Sequence, residues 1–275
     1  MISAIIVNHN GEAHLQRCLE SLENQGPDIE ILLVDNASTD QSVAVVKEGF
    51  PQIRLIEHHQ NIGFAAANNI AARAAAGDAL LLLNIDAWLE DGALDLLAQA
   101  LDRDPRMAIA APRLLYPDGG LQFGWSPARG VVGEALQQLR NRFESRPWVH
   151  GRLARMAGRI AGRNWFTAAC VLVRAAAFRN VGGFDERFFM YFEDVDLCIR
   201  LENTGWRLAE VDGAVARHVG GFARNSEVDD IYRPSQLLDH RLHRPAWEAR
   251  LVERRLRKKY GDRTVDDWLP VERDT

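Results

Sequence analysis

Three acids crowd into four residues at Glu193-Asp194-Val195-Asp196. They close a stretch that opens on Gly182-Gly183 and runs through Phe184, Phe188, Phe189, Met190, Tyr191 and Phe192. A glycine pair there means a turn or a close backbone approach. From Asp194 to Asn203 the spacing predicts a helix with Leu197, Cys198 and Leu201 on one face. At about 100° per residue, Asp194 falls on that apolar face and Asp196 points away, in line with Arg200 as an i,i+4 ion pair. An inward carboxylate beside a second one has its pKa raised by burial and by like charge, which suits a general base near neutral pH. The plainer reading is an acid favoured by the helix dipole in a first turn. That covers one acid but not the inward aim of Asp194 beside Glu193, and this stretch alone leaves the two readings level.

The elements that must position these acids are written in the apolar pattern. Short runs rich in Ile, Leu and Val predict buried strands at Ile2 to Asn8, Ile31 to Val34, Ile53 to Ile56, Ala79 to Leu83 and Met107 to Ala111. Between them lie helical spacings: Leu15, Cys18, Leu19 and Leu22; Val43, Val46 and Phe50; an alanine-rich stretch after Asn61-Ile62-Gly63-Phe64; and roughly Gly92 to Leu101. Strands alternating with helices imply a mainly parallel sheet with helices on both faces. Polar residues gather where strands end, at Asn8, Asp35, Asn84 and Asp86, and ligands of open α/β sheets bind beyond those ends. Asn and Asp are also ordinary turn formers. That covers Ser38 and Asp40, which are placed to cap a helix, better than Asp86, which sits between Ile85 and Trp88.

At 275 residues the chain can hold one large domain or a domain with an appendage, and a hydrophobic fraction of 47% is ample for a core. A net charge of only -5 gives no global field for nucleic acid. Cys18, Cys170 and Cys198 are odd in number and scattered through apolar patterns, so buried thiols are expected rather than disulfides or a zinc site. No apolar run reaches the length of a membrane span, and neither a dinucleotide fingerprint nor a phosphate-binding Walker loop is present. Trp125 to Arg163 holds eight arginines, no lysine and two acids, and reads as a basic helical insertion or flap. It is either a solvated basic surface or a contact with an anionic membrane or acceptor. After it, Trp165 to Val173 predicts one strand, Trp206 to Val215 one or two short strands, Trp247 to Tyr260 an amphipathic helix with a basic end, and Asp266 to Thr275 a frayed tail.

In order, Ile6-Val7-Asn8-His9-Asn10, Val34-Asp35-Asn36-Ala37-Ser38-Thr39-Asp40, Asn61-Ile62-Gly63-Phe64, Leu83-Asn84-Ile85-Asp86, Gly182-Gly183-Phe184-Asp185-Glu186 and Glu193-Asp194-Val195-Asp196-Leu197 resemble family 2 glycosyltransferases, in their bacterial rhamnosyltransferase-like branch. The resemblance covers about residues 1 to 221. It implies a GT-A fold over 1–221 and inverting transfer of a sugar from a nucleoside diphosphate to a hydroxyl, which leaves 222–275 as a C-terminal helical appendage. It implies that Val7, Asn8 and His9 line the nucleoside pocket, that Asp35 bonds the base, and that Asn61, Gly63 and Asn68 complete the pocket. Asn84 and Asp86 stand at the family's metal motif, Asp194 matches its catalytic base with Glu193 beside it, and His218 matches a histidine of the metal or diphosphate site. Mg²⁺ or Mn²⁺ is the implied cofactor, and a saccharide or lipid-linked acceptor the implied partner. The implied location is cytoplasmic, with peripheral contact at an anionic inner membrane face. The departure is Asn84, whose neutral amide is a weaker ligand than carboxylate.

Two other classes use similar parts. A non-catalytic nucleotide-sugar-binding protein would keep the pocket without the acids. A sugar nucleotidyltransferase would carry a glycine-rich, arginine-containing loop after the first strand, and Asn8-His9-Asn10-Gly11-Glu12 is not one.

Overall fold

A computed structural model describes residues 1–26, 29–122, 124–126, 165–220 and 226–268. In chain order its elements are β1 (Ile2–Asn8), α1 (Glu12–Glu23), β2 (Ile29–Asn36), α2 (Ser42–Gly49), β3 (Arg54–His58), α3 (Phe64–Ala74), β4 (Ala79–Asn84), β5 (Ala87–Leu89), α4 (Ala93–Arg103), β6 (Met107–Leu115), β7 (Leu121–Gln122), β8 (Trp125–Ser126), β9 (Trp165–Phe166), β10 (Cys170–Arg174), α5 (Ala175–Asn180), α6 (Glu193–Asn203), β11 (Arg207–His218), α7 (Ser226–His243), α8 (Ala246–Tyr260) and α9 (Asp262–Trp268).

The main sheet runs β3-β2-β1-β4-β10-β6-β11-β5, with β7 against β6; β8 and β9 form a separate ribbon. Strands β3, β2, β1 and β4 are mutually parallel, β10 is antiparallel to both its neighbours, and β11 is parallel to β6. Alternation along each strand builds a core on each face. Ala4, Ile6, Leu33, Leu81 and Leu83 pack toward α1 and α4, meeting Leu15, Leu19, Leu22, Leu97 and Leu101. Ile5, Leu32, Val34, Leu80 and Leu82 pack the other way, against α3 and α6 through Ala71, Ala72, Leu197 and Leu201. Register sets Asn8 beside Asp35 and Val7 beside Asn84, so three strands stop level at one sheet edge. This is the expected mainly parallel α/β sheet.

Several boundaries differ from the sequence reading. The single strand expected over 165–173 is two, because β9 pairs with β8 while β10 enters the main sheet, leaving Thr167 to Ala169 as a corner. The short strands expected over 206–215 are one long strand, β11, with an irregularity between Glu210 and Val215. The tail expected to fray from Asp266 is helical to Trp268, since Val265 packs with Leu237, Val252 and Leu256. Of the basic insertion, Trp125 and Ser126 are the strand β8; residues 127–164 lie outside the described residues. Among the described residues no helix is long and apolar enough to cross a membrane.

Candidate active site

The loops that leave β1 and β2 are interlocked by their own polar side chains. Asn8 Nδ2 lies 2.9 Å from Asp35 Oδ1, 2.9 Å from Ser38 Oγ and 2.8 Å from Ser42 Oγ, while Asn8 Oδ1 accepts from Gly11 N. Asp35 Oδ2 accepts from Ser38 N at 3.0 Å. Asp40 accepts from Ser42 N at the start of α2 and from Glu12 N at the start of α1, so it does serve helix starts. Asn8 and Asp35 are buried, and both Asp35 oxygens are engaged within the chain. His9 is exposed at the rim, its Nδ1 2.9 Å from Asn36 O, and Val7 is partly buried. Asn36, absent from the sequence-based candidates, links this corner to the next loop: it donates to Asn61 Oδ1 at 2.7 Å and accepts from Ile62 N. Its place directly after Asp35 at a strand end was the available signal.

Gly63 has φ +87°, and a Cβ there would lie 2.6 Å from Phe189 O. Its glycine therefore lets the acid-bearing loop close on α3, where Phe64 N donates to Phe189 O at 2.7 Å. Asn68 is buried and donates to Phe64 O within its own helix. Its neighbour Asn69 makes the connection across space: its Oδ1 accepts from Phe184 N at 2.9 Å and its Nδ2 donates to Phe184 O at 2.8 Å. Gly183, at φ +75°, would bring a Cβ to 2.5 Å from Asn69 Oδ1. The glycine pair of the sequence is thus a close approach between α3 and the loop before the acids.

Tyr191 and Phe192 both sit in the left-handed region, at φ +70° and +68°. Such backbone is strained for bulky residues and persists only where the surroundings fix it. It turns the chain into α6, which begins at Glu193. Glu193 is buried, its Oε2 without a hydrogen-bond partner, and its pKa is raised well above the usual range by burial and then by the charge of Asp194. Asp194 is partly buried and accepts from Val195 N at 2.7 Å, from Ala168 N at 3.3 Å and from the Thr167 hydroxyl. Burial outweighs those bonds and pushes its carboxyl up to about 6. Thr167 and Ala168 were not legible as site residues, because their corner was read as continuous strand.

Asp196 corrects the sequence reading. It pairs with Arg200 as expected, Oδ2 to Nη2 2.5 Å, yet it does not point to solvent: it is 1% exposed, and His243 Nε2 lies 2.8 Å from its other oxygen. His243 at the end of α7 covers Asp196 on the predicted polar face of α6, so burial on this helix does not follow its apolar stripe.

At the end of β4, Asn84 Oδ1 is buried without a hydrogen-bond partner. Asn84 Nδ2 lies 3.5 Å from His218 Nε2, which is itself 3.2 Å from Asp86 Oδ1. Burial raises the Asp86 carboxyl, but the hydrogen bond and charge of His218 outweigh it and hold the group below the usual range. Gln122 Oε1, 3.0 Å from His218 Nδ1, orients the ring; β7 is too short to have drawn notice in the sequence. A carboxylate, an imidazole nitrogen and an orphaned amide oxygen are donor types that fit Mg²⁺ or Mn²⁺. Among the described residues no group of three His, Cys, Asp or Glu side chains gathers, so such an ion would need oxygens from a ligand as well. The two halves of the site meet at one dipeptide: Ala169 O accepts from Asn84 N, and Ala168 N donates to Asp194.

This sheet, with polar residues at its strand ends and the Glu193–Asp194 pair tethered to the end of β4 through Ala168 and Ala169, is a GT-A fold, the class of nucleotide-sugar transferases. The fold is similar to that of the mannosyltransferase PcManGT from Pyrobaculum calidifontis in complex with GDP-Man and Mn²⁺, with TM-score 0.62 and 16% identity over 97% of this chain and 73% of that one. The profile of Glycosyl transferase family 2 matches residues 3–169. The chain is similar to the N-acetylglucosaminyl-diphospho-decaprenol L-rhamnosyltransferase of Mycobacterium tuberculosis, 32% identical over 233 residues that span 79% of this chain and 76% of the relative. It is also similar to rhamnosyltransferase WbbL of Escherichia coli, 25% identical over 255 residues, 85% of this chain and 89% of that one. The chain belongs to glycosyltransferase family 2 and is rhamnosyltransferase-like; its chemistry is sugar transfer.

Proposed function

We propose that the chain transfers a sugar with inversion from a nucleoside diphosphate to an acceptor hydroxyl, with Asp194 as the base. The acceptor oxygen bonds to the anomeric carbon, the bond from that carbon to the diphosphate breaks, and the hydroxyl proton passes to Asp194. The observation that carries the reading is the raised, partly buried Asp194 carboxylate tethered through Ala168 to the end of β4. Glu193 is buried with an unpartnered oxygen, and burial together with the charge of Asp194 raises its carboxyl well above the usual range, so of the two acids Asp194 is the readier to carry the negative charge.

The nucleoside sits at the ends of β1 and β2, among Val7, Asn8, His9, Asp35, Asn61, Gly63 and Asn68, with Asn84 and Asp86 toward the diphosphate. Asp86 and His218, with Asn84 Oδ1, would hold Mg²⁺ or Mn²⁺. Bound there, the cation supplies positive charge against that of the leaving diphosphate. Mn²⁺ in the complex of the similar mannosyltransferase supports this. The names of both rhamnosyltransferase relatives favour dTDP-rhamnose over a UDP-sugar as donor, and the decaprenol in one name favours a lipid-linked saccharide over a free one. The process would be polysaccharide biosynthesis at the cytoplasmic membrane face. The exposed Trp247 among the basic residues of α8 supports peripheral contact with anionic lipid.

Incubation with labelled nucleotide sugars and Mn²⁺ tests the reading. Transfer, or slow hydrolysis without acceptor, is expected; binding without any turnover would mean a sensor instead, and pyrophosphate exchange a nucleotidyltransferase.

A further inference from the structure

Helix α7 grips the acid-bearing stretch at three points that bracket Glu193 and Asp194. Before the pair, Ser235 Oγ donates to Met190 O at 2.7 Å. At the two left-handed residues, the Tyr232 ring lies 5.7 Å from that of Tyr191 and 5.1 Å from that of Phe192. After the pair, His243 Nε2 reaches Asp196 Oδ1 at 2.8 Å. Ser235, Asp196 and the helix face between them are buried. Bulky residues at positive φ need such an external hold, because the strain relaxes once it is released.

We propose that Tyr232, Ser235 and His243 are positioning residues for sugar transfer, and that α7 is part of the catalytic apparatus rather than an appendage. The contacts that bracket the pair are to Met190, Tyr191, Phe192 and Asp196, all on the acid-bearing stretch. Their action is on the aim and enclosure of the Asp194 carboxylate: Ser235 and Tyr232 fix the chain that enters α6, and His243 with Arg200 fixes the first turn from the far side. Charged and titratable groups facing the pair and Asp196 are Tyr191, Arg187, Arg200 and His243, and none of them is supplied by the nucleotide loops. The inference rests on Asp194 as the base.

The test is turnover of the full chain with nucleotide sugar, measured from pH 5 to 9 for Ser235→Ala, Tyr232→Leu and His243→Leu. Expected is a fall in kcat of roughly 10- to 100-fold, as for a misplaced catalytic group, with donor KM within about twofold of wild type. The acidic limb of the kcat profile is expected to move to lower pH, since a loosened loop admits water to Asp194. His243→Gln, which keeps a donor for Asp196, and Tyr232→Phe, which keeps the ring, should restore most of the rate. Leu101→Ala, in the core between the sheet and α1 and α4, controls for stability and should leave the limb in place. Activity that drops only with the folded fraction, on an unmoved limb and without rescue, would overturn the proposal. Full turnover in Asp194→Asn would instead overturn the assignment of the base, so the two failures are distinguishable.

Discussion

Replacing Asp194 by Asn should abolish transfer, leave nucleotide affinity nearly intact and remove a pH-dependent penalty on folding. The carboxyl is moved from its ordinary 3.8 to about 6 in the folded chain. At about 1.4 kcal/mol per pKa unit this is about 3 kcal/mol. The native state therefore binds the proton more tightly than the unfolded chain does. Wild-type stability from this group is full below pH 4 and falls as pH rises through 6. Asn carries no charge and escapes that loss, although it gives up part of the hydrogen bonding to Val195 N, Ala168 N and Thr167, at about 1 kcal/mol per bond at any pH. The pH-independent cost cancels in the comparison across pH. Urea unfolding at pH 4 and pH 8 should show the variant gaining about 2–3 kcal/mol relative to wild type between the two. Loss of the Asp194 charge also lowers the raised Glu193 carboxyl, which adds in the same direction. Parallel stability curves for the two proteins would refute the burial argument, and near wild-type turnover would refute the base.

Asp86→Ala should weaken nucleotide binding in Mn²⁺ much more than in its absence; calorimetry giving equal losses would indicate folding damage rather than a metal ligand. Asp35→Ala should weaken nucleoside diphosphate binding with or without metal, and should also destabilise the fold by about 2–3 kcal/mol, because Asn8 Nδ2 and Ser38 N lose a buried acceptor. Unchanged affinity for the free nucleoside diphosphate would take Asp35 out of the pocket. Gly183→Ala combines left-handed backbone with a Cβ 2.5 Å from Asn69 Oδ1, so thermal unfolding should report a loss of about 2–4 kcal/mol. A smaller effect at Gly182, which has φ +82° but open space around its Cβ position, is the internal comparison.

The parallel half of the sheet was legible because β1, β2 and β4 are contiguous apolar runs ending in polar residues, and strands buried on both faces read that way. The strand-end residues Asn8, Asp35, Asn84 and Asp86 were legible for the same reason. What escaped was set by tertiary contact. Asp196 looked solvent-facing from helical phase alone, because nothing in α6 announces that α7 covers it. Helix α7 itself was seen only as part of a helical tail, since Pro234 interrupts its pattern and its buried positions include Ser235, Gln236, Asp239 and His240. Asn68 and Asn69 are adjacent in an alanine-rich helix, and local pattern does not tell which one bonds across space; it is Asn69. The corner at Thr167 to Ala169, which joins the two halves of the site, lies inside an apolar run and has no polar signature beyond one threonine.

Under the proposed function, transfer is a single displacement at the anomeric carbon with Asp194 taking the proton. The most direct measurement is the anomeric configuration of the transferred sugar, read by NMR from wild-type product made with dTDP-rhamnose and with UDP-sugars in Mn²⁺, alongside Asp194→Asn under the same conditions. A product with the configuration opposite to that of the donor is expected, and none from the variant. A product that retains the donor's configuration, or equal product from the variant, would contradict the proposed function.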